Sequence, residues 1–410
     1  MERTLQHLLL AGHFPQGRMA FVVGPRQVGK TTLARTLLAA RGCDDLYRNW
    51  DDLAWRREVV QAPYAFVDGC RPAGSGARPL AVLDEVHKHP RWKRFLKGLW
   101  DTRHDRLDVL VTGSGRLDVY QRGGDSLLGR YHQYRLHPLS VREVLGPGDA
   151  SWTDSPERTL AQLGAAGAPP RAARDALDAL LRWGGFPEPF LRQQERRHRL
   201  WLRERRALLV REDLRDLTRI QLLSHVEELV ELLVLRSGGA LSYNNLRADL
   251  QVALDSVRLW TAQLQRLYFV YLVRPYASRL QRALRREPKL YLWDWSEVAD
   301  PGARFENLVA SHLLKWCHFT QDWGLTPLEL HYVRDKEKRE VDFLLTRDRR
   351  PWLLVEAKVS QLQPNPALRY FGEKLRVAAR IQVVRDCLGP GRAGDVQIID
   401  AATFLAALPV

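Results

Sequence analysis

The stretch Gly24-Pro25-Arg26-Gln27-Val28-Gly29-Lys30-Thr31 constrains the fold of this chain more than any other. It follows the apolar run MAFVV and precedes TTLARTLLAA, whose apolar residues recur at helical spacing. Strand, glycine loop and helix in that order make a phosphate-binding loop. The glycines let the backbone wrap so that its N–H groups face phosphate oxygens, and the helix N-terminus adds the positive end of its dipole. Gly24 to Gly29 form the cradle for ATP, Lys30 reaches the β- and γ-phosphates, Thr31 ligates Mg²⁺, and Thr32 adds a phosphate contact.

Such a loop needs a carboxylate that organises the metal from a neighbouring strand. LAVLDEVHK supplies Asp84 at the end of an apolar run, followed by Glu85, which is placed to polarise the attacking water. The next apolar run, LDVLVTGSG, ends in Thr112 and Ser114, which read either as sensors of the γ-phosphate or as strand-end caps. Arg130 reads either as an arginine finger directed at a neighbouring subunit's nucleotide or as half of an intrachain ion pair. The tetrad Asp84-Glu85-Val86-His87 also fits a DExH-box helicase, but no second strand-rich ATPase half follows it.

Further along, short apolar runs alternate with helical segments, which predicts an α/β fold with a parallel sheet covered on both faces. The turn-rich GPGDASWTDSPE marks a boundary. Four regions are expected: a P-loop core over 1–157, a helical lid and arginine-rich linker over 158–222, a three-helix-and-strand module over 223–300, and a second α/β domain over 301–410.

With 410 residues, 45% hydrophobic and 27% charged, the chain is long enough for several packed domains and is not disordered. No apolar run is long enough to span a bilayer, and the start of the chain lacks a convincing signal peptide. Cys43, Cys70, Cys317 and Cys387 are too scattered for a disulfide framework or a metal knuckle, so a cytoplasmic protein without membrane partners is expected. A net charge of +15 favours a polyanionic partner, although an arginine-rich proteome gives the same total. The basic residues cluster in RQQERRHRLWLRERRALLVREDLRDLTR, Arg192–Arg219, which is either a phosphate-tracking helix face or a solvated one with internal Glu–Arg pairs.

Taken together, GPRQVGKTTL, LDEVHK, VTGSG followed by LLGR, LHPLSVREV and GGFPEPF resemble one family of AAA+-type ATPases of bacteria and archaea. In these an AAA module precedes a DUF4143-type region with winged-helix and nuclease-like parts. The resemblance runs from Met1 to about Ile381. It implies roles in ATP binding and hydrolysis for Lys30, Thr31, Asp84 and Glu85. It likens Gly184–Pro187 to a lid motif that sets Pro187 on the nucleotide base, and a plain helix-breaking turn is the other reading. It also implies a homo-oligomer.

Residues 223–300 resemble a winged helix, with the recognition-helix position from Leu254 onward and Arg258 and Arg266 available to phosphates or bases. The same helix carries Trp260, Leu264 and Leu267, which suit a core. The segments RFENLVASHL, EVDFLL and VEAKVS resemble a nuclease centre of the PD-(D/E)XK type. That likeness implies Mg²⁺ on Asp342 and Glu356, Glu306 completing the shell, and Lys358 acting on the attacking water. An ordinary exposed hairpin would show the same Glu-x-Lys. The expected function is Mg²⁺-dependent ATP hydrolysis driving conformational work on DNA in a homo-oligomer. An ATP-regulated metal-dependent nuclease and a nucleotide-switched signalling protein are the alternatives.

Overall fold

The computed structural model describes residues 1–68, 78–113, 127–146, 156–165, 169–210, 223–277, 287–360, 363–387 and 391–410. Ser114, Cys70 and the arginines of 211–219 lie outside these residues. The chain forms two compact units, Glu2–His137 and Pro138–Val410.

In the first unit, strands β1 (Met19–Val23), β2 (Tyr47–Asn49), β3 (Leu80–Asp84), β4 (Asp108–Gly113) and β5 (Tyr131–Arg135) make a sheet of order β2-β3-β4-β1-β5. Every neighbouring pair is parallel. Parallel strands need crossovers, and the helices that provide them cover the sheet, so β1 and β3 are buried along their whole length. Helix Lys30–Ala40 turns Leu33, Ala34, Leu37 and Leu38 inward, and helix Trp92–Arg103 does the same with Phe95, Leu96 and Leu99. The register sets Val22 beside Thr112 and Thr112 beside Asp84. The loop after β1 and the ends of β3 and β4 therefore emerge at one edge of the sheet.

In the second unit, helices Leu223–Leu235, Tyr243–Leu250 and Leu254–Arg266 precede an antiparallel pair, β6 (Val270–Pro275) and β7 (Lys289–Leu292). Val226, Leu229, Leu233, Leu246, Trp260, Leu264 and Phe269 form their common core. This pair does not stand apart from the C-terminal strands. β6 joins β8 (Leu328–Arg334), and the sheet continues through β9 (Glu340–Arg347), β10 (Arg350–Lys358), β11 (Ala379–Val384), β12 (Gly391–Ala393) and β13 (Val396–Asp400). Its order is β12-β13-β11-β10-β9-β8-β6-β7. Residues 223–300 and 301–410, expected as separate modules, thus share one sheet.

Helix Pro301–Asp322 packs on β8 and β10; Asp300 caps it by accepting from the Ala303 amide at 2.7 Å, with Pro301 in its first turn. The β9–β10 turn consists of Asp348 and Arg349, both left-handed at φ 48° and 63°, as a tight two-residue hairpin requires. One extra residue, Trp352, shifts the register just after the turn. Both strands are buried except at their ends, which excludes the exposed-hairpin reading. No helix among the described residues is long and apolar enough to cross a membrane.

Candidate functional site

The loop after β1 has the backbone of a phosphate cradle. Gly24 at φ 154°, Gln27 at φ 61° and Gly29 at φ 100° turn it back on itself, and a Cβ on Gly24 would run into the Leu136 carbonyl. Arg3, buried, donates to the Val28 carbonyl at 2.9 Å and to the His137 carbonyl, so the loop is held from behind. Arg26 is half-buried beside the loop, and Thr31 and Thr32 lie exposed at the start of the helix. The Lys30 ammonium folds over the loop and donates to the carbonyls of Gly24 at 2.9 Å and Pro25 at 2.6 Å. It waits above the cradle with its charge hydrogen-bonded.

Asp84 gathers the hydroxyls of three elements. Thr31 donates to Oδ2 at 3.0 Å and Tyr47 to the same oxygen at 2.7 Å, while Thr112 donates to Oδ1 at 2.5 Å. Burial and the neighbouring Asp84 push the Tyr47 phenol up to about 12, so it stays a donor at any ordinary pH. The Arg35 guanidinium lies 4.7 Å from the centre of the Tyr47 ring. Neither Tyr47 nor Arg3 stands out in the sequence. An all-oxygen set of carboxylate and threonine hydroxyl suits Mg²⁺, which takes one or two protein ligands and fills the rest with phosphate and water.

Glu85 adopts a left-handed φ of 56°, uncommon for a residue with a Cβ, and its amide donates to the Thr112 carbonyl at 3.0 Å. That twist directs its side chain away from the strand, where Oε2 lies 3.5 Å from His87 Nε2 and 3.7 Å from Lys88 Nζ. Burial raises the Glu85 carboxyl above the ordinary range. A carboxyl so placed has the environment of a general base.

The other expected residues fall elsewhere. Arg130 sits beside Met19 at the opposite edge of the sheet, donating to Asp101 at 2.8 Å and lying over the Trp100 ring. Pro187 belongs to the second unit, where it opens helix Pro187–Arg192 after Gly184 at φ 75°. Gly185 is tightly enclosed, and a Cβ there would lie 2.5 Å from Trp295 Cη2 and 2.8 Å from Pro138 Cβ. The arginine-rich helix Glu195–Leu208 is only partly a solvated face. Arg205 is buried against Glu297 at 3.1 Å, and Arg206 bridges Glu297 and Glu231 at 2.5 Å each, leaving Arg196, Arg197, Arg199 and Arg203 exposed. Arg258 and Arg266 are exposed on helix Leu254–Arg266, while Trp260 and Leu264 are buried.

The second unit brings Glu306, Asp342, Glu356 and Lys358 together beside an open pocket of about 640 Å³ whose rim includes Arg339, Asn365 and Tyr370. The sequence reading missed the residue at its middle. Lys289, the first residue of β7, is buried, and its ammonium lies 3.1 Å from Glu306, 2.8 Å from Glu340 and 3.1 Å from Asp342. Glu356 accepts from Lys358 and from Asn365 at 2.7 Å each, and from the Asp342 amide at 3.2 Å. The Ala357 amide donates to Asp342 at 3.1 Å and the Tyr291 hydroxyl to Glu306 at 2.7 Å. Burial, reinforced by Asp342, lifts the Glu306 carboxyl to about 7. Among the described residues no group of three or more His, Cys, Asp or Glu side chains is arranged to hold a metal ion, and the Lys289 ammonium lies between Glu306 and Asp342, two of the carboxylates expected to share one. The cluster is already closed by a cation of the chain's own.

Residues 16–145 match the family model of an AAA domain. Residues 174–298 match a domain of unknown function, DUF8612, and residues 301–399 match another, DUF4143. No curated protein matches the chain.

Proposed function

Starting from a chain that carries an AAA domain ahead of a DUF4143 domain, we propose that it is a Mg²⁺-dependent ATPase whose hydrolysis cycle drives conformational work on DNA. The observation that carries the reading is the meeting of Thr31, Tyr47 and Thr112 on Asp84, one residue before Glu85 and beside the Lys30 cradle. Mg²⁺ on Thr31 and Asp84 would neutralise charge on the β- and γ-phosphates.

The chain's own residues do the rest. The amides of Arg26 to Lys30 bind phosphate oxygens, and Lys30 exchanges its two carbonyl partners for the terminal phosphates. Glu85 orients a water for in-line attack and takes its proton, a task suited to a carboxyl whose burial raises its affinity for protons. Tyr47 and Thr112 fix the rotamer of Asp84, which keeps the site preorganised.

The DNA part rests on the exposed arginines of helices Glu195–Leu208 and Leu254–Arg266 within a chain of charge +15. Self-assembly would give Arg130 a role in trans if it gave up Asp101. Steady-state ATP hydrolysis, measured alone and with single-stranded, duplex and four-way-branched DNA, tests the reading. Stimulation by one DNA form, absent from Lys30→Ala, supports it. Turnover indifferent to every DNA moves the function to a nucleotide-switched protein binder.

A further inference from the structure

We propose that the Lys289 ammonium holds the place of a divalent cation in the carboxylate centre of the second unit, so that this centre is closed by an internal cation and does not support metal-dependent cleavage of phosphodiesters. The cluster has the residue types of a nuclease centre, but its geometry is that of an ammonium site. A lysine ammonium has three N–H donors and no acceptor. Here it meets three carboxylates, at 3.1 Å from Glu306, 2.8 Å from Glu340 and 3.1 Å from Asp342, all within N–H···O hydrogen-bond distance. Every donor has an ionic partner.

Other oxygens of the centre carry hydrogen bonds as well. Asp342 Oδ2 accepts from the Ala357 amide, and Glu356 Oε2 accepts from the Asp342 amide. Glu356 Oε1 carries both Lys358 and Asn365, so the lysine that would act on water is tied to a carboxylate. A Mg²⁺ ion demands near-octahedral oxygens at ~2.0–2.1 Å and keeps several waters. To enter, it would have to expel a buried side chain whose backbone cannot withdraw. Lys289 pairs with Val273 across the β6–β7 ladder and bridges Ala240 on its other side. Glu340, which no nuclease-like reading of the sequence included, is the third carboxylate that makes the ammonium fit.

The test is Mn²⁺ binding to the full chain without nucleotide, followed by electron paramagnetic resonance, together with nicking of supercoiled plasmid in Mg²⁺ or Mn²⁺. Wild type is expected to show no bound Mn²⁺ and no nicking that Asp342→Asn removes. Lys289→Ala, verified as folded by circular dichroism, should gain a saturable Mn²⁺ site that the K289A/D342N double variant loses. Wild-type Mn²⁺ binding or nicking abolished by Asp342→Asn would overturn the proposal. So would a folded Lys289→Ala that gains no site. Should Lys289→Ala fail to fold, the comparison of wild type with Asp342→Asn decides alone.

Discussion

The phenol of Tyr47, on an edge strand of the N-terminal sheet, donates to the carboxylate of Asp84 at 2.7 Å. The bond links β2 to the end of β3 and shares its acceptor oxygen with Thr31. Tyr47→Phe removes one of the donors that fix Asp84 while keeping the ring under Arg35. ATP turnover should fall by roughly 3- to 10-fold, with a stability loss of about 1 kcal/mol, the worth of one net hydrogen bond. Steady-state kinetics and a denaturant melt read the two effects separately. Unchanged turnover would remove Tyr47 from the site.

Lys30→Ala should lower ATP hydrolysis by about 100-fold or more, because it removes the ammonium that overhangs the cradle. Its fold should change little, since the carbonyls of Gly24 and Pro25 that lose the ammonium belong to the loop itself. Comparable melting temperatures beside lost turnover are the expected pair of results.

Glu306 makes the stability of the second unit depend on pH. Its carboxyl is raised from the ordinary value to about 7, so the folded state binds that proton more tightly than the unfolded chain does. The contribution is therefore fully present below the unfolded pKa near 4.5, and it is lost as pH rises through about 7. Glu306→Gln, which keeps an acceptor for Tyr291 and Lys289, should flatten the fall by on the order of 1–3 kcal/mol. Melting curves of both proteins across that range check the sign. A fall of equal size in the variant would rule Glu306 out as its source.

Lys315 is buried in an ion pair with Glu143 at 2.6 Å and donates to the Ser140 hydroxyl at 3.2 Å. Removing one partner strands the other charge away from water. Lys315→Ala should cost about 3–5 kcal/mol. Replacing both partners with apolar residues of similar volume should recover most of that loss, as guanidinium unfolding would show.

Gly185→Ala should destabilise the second unit by roughly 1–3 kcal/mol, because the added methyl has nowhere to go between Trp295 and Pro138. The indole cannot retreat easily, being buried with its N–H donated to the Leu180 carbonyl at 2.7 Å. Thermal denaturation measures it. A neutral result would mean that the GGFP turn is free to shift.

What could be read in the sequence is what lies close together in it. The phosphate loop is one contiguous pattern, and Asp84 follows an apolar run that can only be a buried strand. The residues that complete each site were hidden because they arrive from distant elements. Tyr47 is an unmarked aromatic in DLYRNW, and it gains its partner only when β2 lies against β3. Lys289 opens the run KLYLWDW, where a lysine reads as a solvated flank. It becomes buried only once β6 joins β8 and carries β7 into the sheet. The same long-range pairing puts 223–300 and 301–410, expected as separate modules, into one sheet. Arg205 likewise reads as one more exposed arginine until Glu297, far along the chain, is packed against it.

The extra residue at Trp352 settles a question of parity. Side chains alternate along a strand and directly opposed residues share a face, so the register that follows the Asp348-Arg349 turn decides whether the Glu356 carboxylate looks toward Asp342 or away from it. Were Trp352 paired as its neighbours are, the ladder would run on unshifted from Pro351 and Thr346 and set Val355, not Glu356, opposite Asp342. Leu353 and Val355 would then exchange faces with Leu354 and Glu356, and an intact set of charged residues would be delivered to the wrong side of the sheet. The address of the centre is written in a bulge that carries none of its chemistry.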